Sequence, residues 1–312
     1  MKEADKCVEV VVTKTILMTG ATGYLGSHIA RKLVSSENFK VIAVKRRSSS
    51  LYRIQEIAPQ LTFLNAEESD WSTVMSSNAV DIILHCATSY GRGSSSREDI
   101  LEANLLLPVR ILASAAEQGV KAFINTDTLL DKGVSDYSLS KSQFRDWLKI
   151  FSADLHCINV AIEHFFGPGD DPTKFVSFII GQLLEKTECI PLTLGEQKRD
   201  FIYIDDVVDA FEKLVNYAIH PQKHQGIDEF QIGSGQSISI RDFVLLTQKI
   251  VNDNCTRLDF GVMPYRPNEP MDIQVDISRL QELCWSPQFR LEQALKLTVT
   301  EEAKLKWKRK TI

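Results

Sequence analysis

Residues 15–26, TILMTGATGYLG, join a short apolar run to a glycine-rich turn, and a helix-like stretch follows at 27–34. Glycines at positions 20, 23 and 26 permit a tight turn and let backbone N–H groups approach a pyrophosphate at the start of the helix. A plain glycine turn is the alternative interpretation. The strand before the turn and the helix after it favour a dinucleotide-binding turn.

The same alternation of short and long apolar patterns continues along the chain. Short apolar runs occur at 40–44, 61–64, 80–84, 122–125 and 155–160, with amphipathic stretches such as 100–118 between them. Strands that are buried on both faces and joined by helices form parallel, doubly wound sheets. We therefore predict an α/β protein, with a Rossmann-type sheet at 1–165 and a smaller mixed α/β substrate-binding part at 166–312. Residues 229–232 are expected to return to the first sheet.

Composition narrows the classes of partner. The 312 residues carry a net charge of -5, which argues against a nucleic-acid ligand because phosphate binding needs clustered basic residues. No apolar run approaches the roughly 20 residues that span a bilayer. The six cysteines form no C-x-x-C pair, so we expect neither a metal site nor disulfides. These features predict a cytoplasmic protein that binds a small molecule and does not bind membranes.

Tyr137 and Lys141 are the first candidates for catalysis. They are four residues apart, so on a helix they share one face. An adjacent ammonium group stabilises a phenolate, and we expect it to lower the pKa of the Tyr137 phenol toward the range of a proton shuttle. A Y-x-x-x-K pattern also arises by chance on surface helices, so the pair needs support from its surroundings.

The spacing G-x-x-G-x-x-G resembles the extended short-chain dehydrogenase/reductase family. Further matching segments are 85–87, Asn104, 137–141, 167–169, 199–207 and 285–287. The resemblance implies that a threonine after the fifth strand joins Tyr137 in hydrogen-bonding the reacting oxygen. We assign this role to Thr126, with Thr128 as the alternative. It also implies that Tyr137 transfers the proton and that Lys141 holds the nicotinamide ribose. Thr126 and Tyr137 are only 11 residues apart, which predicts a shortened loop over the substrate.

The family resemblance also implies a set of cofactor contacts. They are Gly20, Thr22, Gly23, Tyr24, Leu25, Gly26, Arg46, Arg47, Ser48, Cys86, Ala87, Thr88, Asn104, Tyr137 and Lys141. An acid about 20 residues beyond the glycines would bind the ribose hydroxyl of NAD, but that position holds Arg46. Residues 41–48 contain no acid. Because guanidinium groups bind a 2′-phosphate, we predict NADP(H). A solvated basic turn is the alternative.

Within the family, the resemblance is nearest to the CDP-abequose and CDP-paratose synthase group. It rests on segments that include 85–91, 125–128, 163–170 and 195–201. This implies reduction by NADPH of the 4-keto group of a CDP-linked deoxy sugar. Asp127 is followed by Thr128 and not by the glutamate of the dehydratases, which disfavours elimination. An epimerase or dehydratase with tightly bound NAD and a non-catalytic relative stay open as alternatives.

A nucleotide sugar has two phosphates, so the second half should supply cations. The predicted substrate contacts are Thr88, Tyr90, Thr126, Asp127, Lys174, Arg199, Arg266 and Glu269. Arginine suits phosphate because its planar fork presents several donors at once. For either arginine, a surface ion pair with Asp200 or Glu269 is an equally good interpretation. Relatives commonly dimerise through a helix bundle, so we also expect a homodimer that uses the Tyr137 helix.

Overall fold

The structure is a computed structural model that describes residues 13–93, 96–220 and 226–311. The strands are β1 (Lys14–Thr19), β2 (Phe39–Lys45), β3 (Thr62–Asn65), β4 (Ile82–His85), β5 (Ala122–Thr128), β6 (His156–Ile162), β7 (His164–Phe166), β8 (Cys189–Leu192), β9 (Lys198–Tyr203), β10 (Asp228–Ile232), β11 (Ser237–Ser239) and β12 (Arg257–Phe260). The helices are α1 (Tyr24–Val34), α2 (Trp71–Asn78), α3 (Arg97–Leu101), α4 (Leu107–Glu117), α5 (Asp136–Phe151), α6 (Phe175–Glu185), α7 (Ile204–Ile219), α8 (Ile240–Val251), α9 (Ser278–Glu282) and α10 (Leu291–Thr311). The outer ends of the two predicted parts, 1–12 and 312, lie outside the described residues, as do 94–95 and 221–225.

Seven parallel strands form the central sheet, in the order β10-β6-β5-β4-β1-β2-β3. The chain runs from β1 to its neighbour β2 on one side, and β4 then pairs with β1 on the other side. This reversal opens a crevice at the carboxyl ends of β1 and β4, where ligands of doubly wound sheets bind. The predicted Rossmann-type fold is confirmed. Strand β10 pairs with β6, so the chain does return to the first sheet at residues 228–232.

Both faces of the sheet are covered by helices, which explains why its strands are apolar on both sides. One face packs against α1 and α7, through residues such as Ile29 and Phe211, and the same apolar core extends to α6 and α8. The other face packs against α2, α4 and α5, with Phe123 of β5 against Phe144 and Leu148 of α5. Helix α5 is thereby fixed under the carboxyl ends of β4, β5 and β6.

The second half contributes two small sheets, as predicted for a mixed α/β part. One has the order β11-β9-β7, with a parallel β7–β9 pair and an antiparallel β9–β11 pair. The other pairs β8 with β12 in parallel. Within the described ranges, no helix is both long enough and apolar enough to cross a membrane.

Asp206, at the start of α7, joins the C-terminal segment to the fold. Its carboxylate accepts hydrogen bonds from the backbone N–H groups of Gln288, at 2.7 Å, and Phe289, at 3.1 Å. Its own carbonyl oxygen accepts a hydrogen bond from Nε1 of the buried Trp285, at 3.1 Å. The motif at 285–287 is therefore a structural attachment point for the final helix.

We expect Asp206→Ala to lower the free energy of unfolding by about 1 to 3 kcal/mol, because two backbone N–H groups would lose the buried carboxylate that accepts from them. Asp205→Ala is the matched control, since Asp205 is the exposed neighbour on the same helical turn. It should change stability by less than about 0.5 kcal/mol. Urea denaturation of both variants measures the difference. Equal losses would show that the carboxylate of Asp206 does not carry the attachment.

Candidate active site

The glycine turn can pack closely against the segment after β4 because two of its residues are glycine. Gly20 has φ +75°, and a β-carbon on it would lie 2.5 Å from the backbone nitrogen of Ala87. A β-carbon on Gly26 would collide with the carbonyl oxygen of Gly20. The turn closes through the Gly23 N–H, which donates to the Gly20 oxygen at 2.9 Å. The structure thus brings the turn together with 86–88, as predicted.

Helix α1 begins at Tyr24, and its N-terminus suits an anion. The N-cap is Gly23, which has no side chain to bind the first N–H groups, and the first turn contains no acidic residue. These donors and the positive end of the helix dipole are therefore available to a phosphate group. The other predicted contacts of the turn, Thr22 and Leu25, are half-buried at this position.

A buried histidine fixes the strand opposite the glycine turn. Nδ1 of His85 lies 2.8 Å from Oγ1 of Thr19, and this oxygen also accepts the Ala87 N–H at 3.2 Å. Burial lowers the pKa of His85 well below its usual value, so the imidazole stays neutral. The His85-Cys86-Ala87 segment is therefore held against Gly20 by neutral hydrogen bonds.

Asn104 has a structural role where the sequence predicted a cofactor contact. It lies in a π-helical turn, Glu102–Leu106, between α3 and α4. Its Oδ1 accepts from the Ser89 N–H at 2.7 Å and the Thr88 hydroxyl at 3.2 Å. Its Nδ2 donates to the Ser89 carbonyl at 2.9 Å and the Ser140 hydroxyl at 3.0 Å. Because protein groups occupy the whole amide, Asn104 ties residues 88–89 to α5 and acts on a cofactor only indirectly.

Tyr137 and Lys141 lie on the first turns of α5, at the end of β5. Lys141 is buried, and its ammonium group donates to the carbonyl oxygen of Thr126 at 2.8 Å. The Thr126 hydroxyl donates to the carbonyl oxygen of His85 at 3.1 Å. The Thr128 hydroxyl oxygen accepts the N–H of Leu130 at 3.2 Å, and this hydroxyl acts to lower the pKa of the Tyr137 phenol. The two candidate threonines thus have different surroundings in this structure.

The pKa of Tyr137 moves in the direction opposite to the one expected. Burial raises it well above its usual value, and the neighbouring Tyr90 and Asp127 raise it further. The Lys141 ammonium group is bound to the Thr126 carbonyl, and burial lowers the pKa of this lysine to about 8. The expected lowering relied on an ammonium group beside the phenol. Desolvation acts against it, because loss of water raises the pKa of a phenol and lowers the pKa of an ammonium group.

Aromatic and cationic side chains line the cleft above Tyr137. The Tyr90 and Tyr137 rings lie 4.9 Å apart. The Lys174 ammonium group is 4.4 Å from the Phe165 ring and within 6 Å of the Tyr24 and Tyr90 rings. It pairs with the buried Asp170 at 3.0 Å. The structure therefore places Tyr90 and Lys174, both predicted substrate contacts, in the same cleft as Tyr137.

Two glutamates lie next to the basic turn after β2, and their pairing with this turn was not predicted from the sequence. The guanidinium group of Arg47 pairs with Glu68, and the Arg47 N–H donates to the Glu67 carboxylate at 3.3 Å. These glutamates follow β3, which pairs with β2 in the sheet, so the two strand ends are neighbours. Arg46 and Ser48 are exposed in the same turn. Hydrogen bonds from Ser96 hold the pKa of Asp99, at the start of α3, below its usual value, and the charge of Arg46 adds to this lowering.

Two predicted substrate contacts pair with each other. Arg199 is buried and forms an ion pair with Glu269, while its Nη1 donates to the Lys198 carbonyl at 2.6 Å. Asp200 instead binds the backbone at 234–235. Arg266 is exposed in the loop that carries Glu269. The ion-pair interpretation therefore holds for Arg199, and Arg266 is the exposed cation of this loop.

Asp127 is turned away from the cleft. Its side chain is fully buried and binds Arg145, Asn159 and the N–H of Thr128, so a direct substrate contact is not what this structure shows. Side chains alternate along a strand, so Asp127 points toward α5.

The backbone of Gly169 connects two distant parts of the chain, and this connection was not predicted from the sequence. Its N–H donates to Glu302 of α10 at 2.6 Å, and its carbonyl accepts from Arg53 at 2.6 Å. The Arg53 guanidinium group lies 5.4 Å from the ring of Tyr24. The sequence spacing did not indicate this contact, because Gly169, Arg53 and Glu302 are far apart in the chain.

Comparisons with known proteins agree with the fold and the turn. The model of the NAD dependent epimerase/dehydratase family matches residues 16–233. The chain is 31% identical to CDP-abequose synthase of Salmonella muenchen, over 91% of this chain and 97% of that protein. It is 30% identical to CDP-abequose synthase of Salmonella typhimurium, over 90% and 95%.

Solved structures show the same fold. UDP-glucose 4-epimerase of Thermotoga maritima, crystallised with UDP-glucose, superposes with a TM-score of 0.79 at 22% identity, over 93% of this chain and 99% of that chain. UDP-glucuronic acid 4-epimerase of Bacillus cereus, with UDP-glucuronic acid and NAD, gives a TM-score of 0.78 at 22% identity, with the same coverage. The glycine turn, the Rossmann-type sheet and these matches together establish that the chain belongs to the NAD dependent epimerase/dehydratase family, the extended short-chain dehydrogenases/reductases.

Proposed function

We propose that the protein uses NADPH to reduce the 4-keto group of a nucleotide-activated deoxy sugar, with CDP as the nucleotide. The observation that carries this proposal is the pair of hydroxyl groups at the end of β5. Burial raises the pKa of the Tyr137 phenol, so the phenol stays protonated at neutral pH, and the Thr128 hydroxyl at the end of β5 opposes this rise only in part. Two O–H donors at one point suit a ketone oxygen that must accept a proton. The near full-length similarity to CDP-abequose synthases supports the substrate class.

The glycine turn fits a dinucleotide pyrophosphate. Side chains are excluded from Gly20 and Gly26, and the free N–H groups at the start of α1 face the resulting space. When bound, the reduced dinucleotide supplies the hydride that goes to the carbonyl carbon. Tyr137 donates its proton to the carbonyl oxygen, Thr128 hydrogen-bonds that oxygen, and Lys141 is placed to hold the ribose.

Arg46 supports NADPH over NADH. It is exposed at the end of β2, where an acid would repel a 2′-phosphate. Arg47 is already paired with Glu68, so it adds less positive charge to the site. Because guanidinium groups bind phosphate through several donors, we assign the 2′-phosphate to Arg46.

Lys174 and Arg266 are our candidates for the nucleotide end of the substrate. Lys174 lies in the cleft beside Tyr90, and Arg266 is exposed on the loop next to the Arg199–Glu269 pair. Within this proposal, Tyr90 and Thr88 contact the sugar, and the Arg199–Glu269 pair orients the Arg266 loop.

We also propose a homodimer in the cytoplasm. Large apolar side chains are exposed on α5, at Leu139, Trp147 and Ile150. Leu101 at the end of α3 and Leu106 in the π-helical turn are also exposed. Clustered exposed apolar residues of this size are typical of protein interfaces, and sedimentation velocity tests the state directly.

The function is tested by incubating the protein with NADPH and a panel of CDP-, GDP-, dTDP- and UDP-linked 4-keto sugars. Loss of absorbance at the nicotinamide band with the CDP-linked sugar supports the proposal. Tightly retained NAD with no net reduction would instead indicate an epimerase or dehydratase. Binding of dinucleotide without turnover of any sugar would indicate a non-catalytic relative.

Tyr137→Phe should lower kcat for reduction roughly 10²- to 10⁴-fold, because the proton donor is lost. Its affinity for NADPH should change less than about twofold, because the lost hydroxyl serves the proton transfer and does not contact the phosphates. Tyr217→Phe is the matched control, since it also removes one phenol oxygen, one that is bonded to Asp228 at the outer edge of the sheet. Its kcat should stay near that of the wild type. Normal turnover by Tyr137→Phe would remove this residue from the chemistry.

Arg46→Ala should weaken NADPH binding about 10- to 100-fold and leave NADH binding nearly unchanged, since a charge-assisted contact contributes about 1.5 to 3 kcal/mol. Arg47→Ala should have a smaller effect, because Glu68 already pairs with its guanidinium group. Fluorescence titration with both dinucleotides measures the four affinities. If NADH binds the wild type more tightly than NADPH, the assignment of the cofactor is wrong.

A further inference from the structure

A row of buried polar side chains lies between α5 and the sheet, behind the cleft. Asp127 occupies its centre and is 4% exposed. One carboxylate oxygen accepts from Nε of Arg145 at 2.6 Å and from Nδ2 of Asn159 at 2.8 Å. The other oxygen accepts from the N–H of Thr128 at 2.8 Å. The carboxylate is thus fully satisfied inside the protein, as a buried charge must be.

Arg145 completes a clamp on Thr128. Its Nη2 donates to the Thr128 carbonyl oxygen at 3.3 Å, while its Nε binds the Asp127 carboxylate. The pair therefore holds both backbone polar groups of Thr128, one through Asp127 and one through Arg145. The Thr128 hydroxyl oxygen accepts the N–H of Leu130 at 3.2 Å, and this hydroxyl is among the groups that act on the pKa of the Tyr137 phenol.

Arg145 also belongs to the same helical stripe as the candidate catalytic residues. Tyr137, Lys141 and Arg145 follow one another at intervals of four on α5. Lys141 binds the carbonyl of Thr126, and Arg145 binds the carbonyl of Thr128. Two successive cations of the helix thus fix two alternate residues of β5, and this sets the distance between Tyr137 and the strand end.

Asn159 and Asn125 support the clamp from the sheet side. Asn159 of β6 lies opposite Asn125 of β5 in the strand register, and it accepts a hydrogen bond from the Asn125 amide at 2.8 Å. The Asn159 amide in turn donates to Asp127. Both asparagines are buried, so the carboxylate has a fixed position before any ligand binds.

We propose that Arg145 and Asp127 are positioning residues for the reaction, which hold the Thr128 hydroxyl and the Tyr137 phenol in register. The inference rests on the proposed reduction. A displacement of about 1 Å at a reacting group can cost on the order of 100-fold in rate. Removal of one partner of a buried ion pair leaves the other charge unpaired, so a lower melting temperature is also expected. In the folded protein, loss of the clamp should lower kcat more than it weakens binding.

The test compares Arg145→Gln and Arg145→Lys with Arg279→Gln. Arg279 is the matched control, because it also bridges a carboxylate and a carbonyl oxygen, those of Asp228 and Glu229, at the outer edge of the sheet. Arg145→Gln should lower kcat about 10- to 100-fold, with KM and NADPH affinity changed less than about threefold. Arg145→Lys should recover most of kcat, and Arg279→Gln should keep it.

A wild-type kcat in Arg145→Gln would overturn the inference. Equal fold losses of kcat and NADPH affinity in Arg145→Gln, measured well below its melting temperature, would also overturn it, since they indicate a purely structural role.

A second measurement does not depend on turnover. In protein labelled with ¹³Cζ-tyrosine, the resonance assigned to Tyr137 through Tyr137→Phe should move in Arg145→Gln and stay in place in Arg279→Gln. If the wild type reduces no keto sugar, the proposed function fails, and this resonance still decides the inference. An unmoved Tyr137 resonance would show that the clamp does not reach the phenol.

Discussion

The close approach of two backbones, Gly20 and Ala87, is the contact on which the site depends. With a side chain at Gly20, β1 and the segment after β4 could not close on each other, since the β-carbon would fall 2.5 Å from the Ala87 nitrogen. The Thr19–His85 hydrogen bond holds the same two strands from inside the core. The crevice at the reversal of strand order therefore has a rigid floor, and α1 points its free N–H groups over that floor.

Polar groups in the core set the geometry above this floor. Burial lowers the pKa of His85 and keeps it neutral, and the Asp127 carboxylate is bound by Arg145 and Asn159. In each case a buried polar group has partners on neighbouring strands, so the strand ends are tied across the sheet as well as along the ladder. The carbonyl oxygens of Thr126 and Thr128 are tied down to α5 in the same way.

The fold could be predicted from the sequence because apolar periodicity and the glycine spacing both report on local structure. The position of Tyr137 beside Lys141 followed from helical spacing in the same way. The direction of Asp127 was missed, although strand alternation from Thr126 contained the signal. The pairing of Arg47 with Glu68 and of Arg199 with Glu269 depends on which loops the sheet brings together, and single-sequence spacing carries no such information.

Burial also explains why the pKa of Tyr137 was predicted in the wrong direction. The residue types predict the charge of Lys141, but its ammonium group turns toward Thr126, and desolvation acts on both groups. A two-residue motif specifies only the spacing of its residues. It does not specify how far they are shielded from water, and this burial decides whether they ionise.

The peptide of Gly169 links the last helix to the first. Glu302 of α10 holds its N–H and Arg53 holds its carbonyl, beside the ring of Tyr24 in α1. The wall of the cleft is thus built partly from α10. A substitution that displaces α10 would therefore change the shape of the cleft through Gly169, although α10 contributes none of the predicted contacts.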